Sequence, residues 1–226
     1  MYGKVKAVIA FALKSHDLDS AQVSAALDRC KVLWTTDEIP EYQPTPIRRD
    51  HLHALLKTAG DGPWRAWILM GLNCAMYLQE LSELEWKHID LAAGTLSMRR
   101  VKTKFPRAAT LWPETIEALK LLRQAPTYVF TSPQGTRFKS TQSRCNEFAK
   151  LRDKTEGVPE SVSFAALKDG AFTHTARGTA GDGRIAKILA GHSSGLEDAY
   201  NLRDPSIVRP ACDAVYAHYG PFPLPA

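Results

Sequence analysis

Along most of this chain the apolar residues recur at helical spacing, but in one stretch the period changes. Residues 94–112, GTLSMRRVKTKFPRAATLW, alternate between apolar and polar or basic, which predicts short antiparallel strands around residues 95–101 and 108–112. Helical patterns surround them. RRDHLHALLKTA (48–59) and PWRAWILMGLNCAMYLQELSELEW (63–86) come before, the second interrupted between Asn73 and Leu78. PETIEALKLLRQ (113–124) follows, opening on Pro113 with Glu114 near the positive end of the helix dipole. TYVFTSPQGTRF (127–138) reads as a strand ending in a Pro/Gly turn, and STQSRCNEFAKLRDK (140–154) as an amphipathic helix. SFAALKDGAFTHTARG (163–178), GRIAKILAG (183–191) and PACDAVYAHY (210–219) are helical too, with Ile185, Ile188 and Leu189 as core. The pattern predicts a mainly α domain built around a small antiparallel β-sheet.

The 226 residues are 44% hydrophobic and 23% charged, enough to bury a substantial core. Two further helical patterns, residues 4–16 and 19–34, open the chain, the second with Asp19 or Ser20 as N-cap. TTDEIPEYQPTP (35–46) then reads as an extended linker, so the main domain is expected over 47–226 with a C-terminal tail. Cys30, Cys74, Cys145 and Cys212 show no metal-ligand spacing and are expected as buried free thiols. No signal-like segment and no run of 18 apolar residues occurs. A soluble cytoplasmic protein with no membrane partner is expected, and its net charge of +5 permits a polyanionic partner without demanding one.

Five cations crowd the predicted hairpin (Arg99, Arg100, Lys102, Lys104 and Arg107) without an acid among them. They are either a solvated face or a row of phosphate contacts. Taken in order, ELSELEWKHIDLAAGTL, RRVKTKFPRAATLWPETIEAL, ALKDGAFTHTA, ILAGHSSG and AYNLRDP resemble the catalytic domain of the tyrosine recombinase or phage integrase family over about residues 47–219. GLNCAMY, LWPET and LKDGAFT also resemble a divergent integrase-like branch found in planctomycete bacteria. Residues 1–34 look like the remnant of the family's N-terminal DNA-clamping domain. The resemblance implies double-stranded DNA as partner, a nucleoid-associated location, a mobile-element role in DNA integration and recombination, and chemistry without metal or cofactor. In that chemistry a tyrosine attacks a phosphodiester while two arginines and a histidine or lysine hold the phosphate, and a lysine in a β-turn protonates the leaving oxygen.

Carried over residue by residue, the resemblance gives Tyr200 as nucleophile, Lys102 as turn lysine, and His192 in LAGHSS as a phosphate ligand. Arg99, Arg100, Lys104 and Arg107 become DNA contacts. Read without it, Tyr200 is equally a packed aromatic, His192 the cap of a turn after Gly191, and Lys168 a solvated helix residue. The family's Gly-x-Arg-x-x-Glu-Leu pattern places its first arginine at Tyr77, or at Asn73 with an insertion, and its His-x-Leu-Arg pattern falls on Ala165 and Lys168. A mobile ammonium thus replaces a bidentate guanidinium, and the active site reads as degenerate. The expected function is DNA binding with weak or lost strand cleavage. Alternatives are an active divergent recombinase, with a further cation from Arg65, Arg177 or Arg184, or a helical protein-interaction module without DNA. The stripe Ala211, Ala214, Val215 and Tyr219 is expected to dock on a neighbouring subunit in a homo-oligomer on DNA.

Overall fold

The computed structural model of the chain describes residues 43–100, 104–122, 125–138, 140–179, 183–192 and 205–224. The expected helices before residue 35, the linker up to residue 42, and the candidate residues Lys102 and Tyr200 lie outside them.

Helix α1 (Arg49–Ala59) carries Asp50 in its first turn and buries Leu52, Leu55 and Leu56 at i, i+3 and i+4 spacing. Gly60 ends it at φ +54°, a left-handed value that suits glycine. Helix α2 (Pro63–Asn73) opens on proline and is buried continuously from Arg65 to Asn73, which makes it the axis of the core. The predicted interruption falls at Cys74–Tyr77, where Ala75 takes φ +50°, before the short helix α3 (Leu78–Ser82). Asn73 holds this break to the sheet: its Nδ2 donates to Thr110 O at 2.9 Å and its Oδ1 accepts from Trp112 N at 2.9 Å.

After a 3-10 turn (Trp86–His88), the strands β1 (Ile89–Asp90), β2 (Thr95–Arg99) and β3 (Pro106–Thr110) form one antiparallel sheet in that order. Leu96 pairs with Ala109 and Met98 with Arg107. The expected strand in 127–138 is reduced to two bridges, Glu85 with Tyr128 and Thr131 with Arg137, because Val129 and Phe130 are drawn into the aromatic core against Trp67 instead of into a ladder. Then come α4 (Pro113–Lys120), α5 (Thr141–Asp153), α6 (Ala165–Gly178), α7 (Gly183–Ala190), a 3-10 turn (Pro205–Val208) and α8 (Arg209–Tyr219). The mainly α fold around a small antiparallel sheet is as the sequence patterns predict.

Two expectations are corrected by packing. Ala211, Val215 and Tyr219 are fully buried within their own chain, so the stripe on α8 is core and not a free docking face. Tyr219 donates its hydroxyl to Ile47 O at 2.8 Å, and beyond α8 Phe222 is buried beside Trp112. Cys74 and Cys212 are buried as expected, but Cys145 is exposed on α5.

The seam between α6 and α8 depends on glycine. A Cβ on Gly170 would stand 2.4 Å from the Tyr219 hydroxyl, and one on Gly178 would stand 2.1 Å from Ala214 Cβ. Gly170→Ala is therefore expected to lower stability by about 2 to 3 kcal/mol through overpacking, read as a fall in the urea midpoint. An unchanged midpoint would mean that the two helices separate freely there.

Candidate DNA phosphate site

A buried carboxylate organises the candidate site. Glu80 lies in the first turn of α3, where its Oε2 accepts the Tyr77 backbone N–H at 2.9 Å. The same oxygen stands 3.1 Å from Arg107 Nη1, and Oε1 accepts a hydrogen bond from Arg100 Nε. Burial pushes the Glu80 carboxyl up, but Arg107, the Tyr77 N–H and Arg100 outweigh it and hold it below the usual carboxylate range.

Arg107 does not belong to an exposed row of hairpin cations. It is fully buried, with Nη2 donating to Ala190 O at 2.6 Å. Strand β3 is buried along its whole length, and register sets the face: Arg107 sits opposite Met98, and directly paired residues share a face of the sheet. Met98 faces the core, and Arg107 goes with it. Arg100 also turns inward to Glu80, its side chain 12% exposed. Arg99 and Lys104 remain exposed, with Lys104 at φ +59° closing the turn through its N–H to Arg100 O.

Lys168 and His192 are brought together on the other side of this network. Lys168 is buried in the first turns of α6, and its Nζ lies 3.3 Å from His192 Nε2 and 4.0 Å from the centre of the Tyr77 ring. With Lys168 charged, its ammonium donates and Nε2 accepts, which puts the imidazole proton on Nδ1. Burial, and then the charges of Arg100 and Arg107, bring Lys168 down to about 8 against the pull of Glu80. His192 is lowered by burial and by Lys168, Arg100 and Arg107. Its backbone N–H meanwhile closes α7 on Lys187 O at 2.8 Å, so the backbone caps the turn and leaves the ring to Lys168. Gly191 permits this approach: at φ +64° a Cβ there would come within 3.1 Å of Arg107 Nε and 3.2 Å of Arg100 Cδ.

Of the two sequence alignments for the missing arginine, the one through Tyr77 falls at this site, whereas Asn73 is spent on the sheet. Tyr77 is raised above the usual phenol range by burial and by Asp169 and Glu80. Beside it a cavity of about 630 Å³ is lined by Tyr77, Glu80, Arg100, Phe164 and Ala165. Ala165 leaves open the position where the family resemblance expects a histidine. Among the further cations considered from sequence, Arg65 is buried in α2, Arg177 lies on the far side of α6 by helical spacing, and Arg184 is exposed at the start of α7. Among the described residues no group of three or more His, Cys, Asp or Glu is placed to hold a metal ion, and no helix is long and apolar enough to cross a membrane.

No protein-family model matches the sequence, and no curated protein sequence does either. Solved structures do match. XerA recombinase is 19% identical, with 98% of this chain and 84% of that one covered at a TM-score of 0.57. The integrase of mycobacterium phage Brujita is 17% identical, covering 84% of this chain and 62% of that one at 0.56. The Tn1549 transposon integrase, solved in complex with circular intermediate DNA, is 16% identical over 82% and 71% at 0.57. The fold is that of a tyrosine recombinase catalytic domain. Sequence reasoning missed the centre of this candidate site, including the burial of Arg107. Glu80 served it only as an alignment marker, and Arg100 was counted with the hairpin's outer cations.

Proposed function

We propose that this chain binds double-stranded DNA as a recombinase-like protein and that its strand-cleaving chemistry is weak or lost. The convergence of Lys168, His192 and Tyr77 at one point carries the reading. An ammonium and a neutral imidazole stand where a phosphate would need fixed guanidinium forks, and an aromatic ring takes the remaining place. The DNA partner is supported by the fold, which is shared with structures described as DNA complexes, among them a lambda integrase tetramer bound to a Holliday junction. Arg100 favours a second reading, an active divergent recombinase. Its guanidinium reaches the site from the strand, and its charge acts on both Lys168 and His192.

Binding is tested through salt. Replacing Arg99, Lys102 and Lys104 together by alanine is expected to flatten the slope of log affinity against log salt by up to about 3 units, roughly one for each phosphate no longer neutralised. An unchanged slope would leave the hairpin a solvated surface, and no affinity for random duplex at low salt would favour the protein-interaction reading.

Lys168 adds a pH dependence of definite sign. Its lysine charge is present below about 8 and lost above it, so the salt slope should shrink by about one unit between pH 7 and pH 9. Lys168→Arg should abolish that change, because a guanidinium stays charged throughout. A slope equally pH-dependent in the arginine variant would mean that another group titrates.

A further inference from the structure

Helix α6 has a second working face. Lys168 and Phe172 lie toward His192, whereas Gly170, His174 and Gly178 recur every four residues along the seam with α8. Between the two glycines, His174 stacks on His218 with ring centroids 3.5 Å apart and planes inclined by 15°. Around this pair a cleft of about 940 Å³ draws cations from separate elements: Arg48 and Arg49 from the start of α1, and Arg177 from α6, with His53 beside them.

The cleft is short of anions. Asp50, the acid in its lining, is held by Arg48 at 2.7 Å. Arg49 Nη2 donates to Gly220 O and His53 Nε2 to Tyr219 O, so each of these groups meets a neutral backbone carbonyl there. Burial, His218 and Arg177 bring His174 down to about 4, and burial, Arg49 and Arg177 lower His218. Both rings are therefore neutral near pH 7. A charge on His174 would stand against His218 and Arg177, and a charge on His218 against Arg49 and Arg177, and a bound anion would offset that penalty.

We propose that this cleft is a binding site for a phosphate-bearing anion, with Arg49 and Arg177 as its charged grips and the His174–His218 stack as its wall. Guanidinium groups match phosphate oxygens with paired N–H donors, and imidazolium donors add to them once charged. The proposal does not depend on DNA binding at the Lys168–His192 face. The phosphate could belong to a DNA backbone or to a free phosphate compound, and the chemistry of recognition is the same for both.

Pyrophosphate is a suitable probe, added to the full chain at low salt while the imidazole resonances of His174 and His218 are followed by NMR. Saturable binding that moves both resonances is expected, with net proton uptake by the rings at pH 6 once the titration of pyrophosphate itself is subtracted. Arg177→Ala and Arg49→Ala, both at exposed residues, should each weaken it about tenfold, whereas Lys168→Met should leave it unchanged. His174→Phe keeps a ring in the seam and should remove much of the proton uptake. Displacement of pyrophosphate by a short duplex would assign the site to the DNA backbone, and simultaneous binding would assign it to a free phosphate compound. Resonances that stay still at pH 6, or an affinity indifferent to both arginine substitutions, would overturn the site.

Discussion

Incubated with a nicked duplex that traps cleavage products, the unmodified chain is expected to yield little or no covalent protein–DNA adduct over long times. A phenol must lose its proton to attack phosphorus, and the charge that gathers on the phosphate oxygens must be met by donors already in place. Lys168 is buried against Tyr77 and His192, and its proton is easily lost for a lysine. Removing one fixed donor from such a site typically costs about 10²- to 10³-fold in rate, and under the proposed reading Tyr77 and Lys168 stand at both places where the family resemblance implies an arginine. Tyr77→Arg combined with Lys168→Arg should therefore raise adduct formation by at least about 10²-fold, and adding Tyr200→Phe should abolish what appears. Abundant adduct from the unmodified chain, lost in Tyr200→Phe, would favour the active recombinase. If Arg100→Ala removed that adduct as well, Arg100 would be identified as the cation that makes the site work. Adduct surviving Tyr200→Phe would point to a different nucleophile.

The sequence showed where the sheet interrupts the helices and where α2 breaks, because both are changes of period that local chemistry enforces. Residue parity along the hairpin was also legible. Leu96 and Met98 mark the inner face of β2, and the next position of the same parity is Arg100, while Thr95, Ser97 and Arg99 lie on the other face. Counting all five cations as one outer row overlooked that alternation. The burial of Arg107 could not be read in the same way, since β3 is covered along its whole length by elements distant in sequence, and that cover is a tertiary fact. The stripe on α8 failed for a related reason: an apolar face announces that it will be covered, but the sequence does not say that α6 of the same chain covers it. Periodicity likewise could not separate Lys168 on a solvated helix from Lys168 under an aromatic ring, because its neighbours Tyr77 and His192 come from distant parts of the chain.

Glu80→Ala is expected to be among the most destabilising substitutions in the described domain, at about 3 to 5 kcal/mol. The carboxylate is the counter-charge of Arg107, which is wholly buried, and it also takes Arg100 Nε and the first free N–H of α3. Without it, Arg107 would keep the carbonyls of Ala190 and Ala75 but no opposite charge, and a buried ion without a partner is more costly than the pair is favourable. Glu80→Gln should fall between, since an amide oxygen can still accept from Tyr77 and Arg100 but offers no charge. Acid should reproduce part of the loss. The folded-state value of Glu80 lies below its ordinary one, so its contribution is complete above about pH 5 and fades as the pH falls through that lowered value. The decisive comparison is with Arg107→Met and with the Glu80→Ala, Arg107→Met pair, measured by urea denaturation. If the cost of Glu80→Ala is that of stranding Arg107, the double variant should be more stable than Glu80→Ala alone, because a methionine at the buried position needs no counter-charge. Additive losses would instead mean that Glu80 stabilises the domain mainly through α3 and Arg100, and the buried pair would lose its place as the centre of the site.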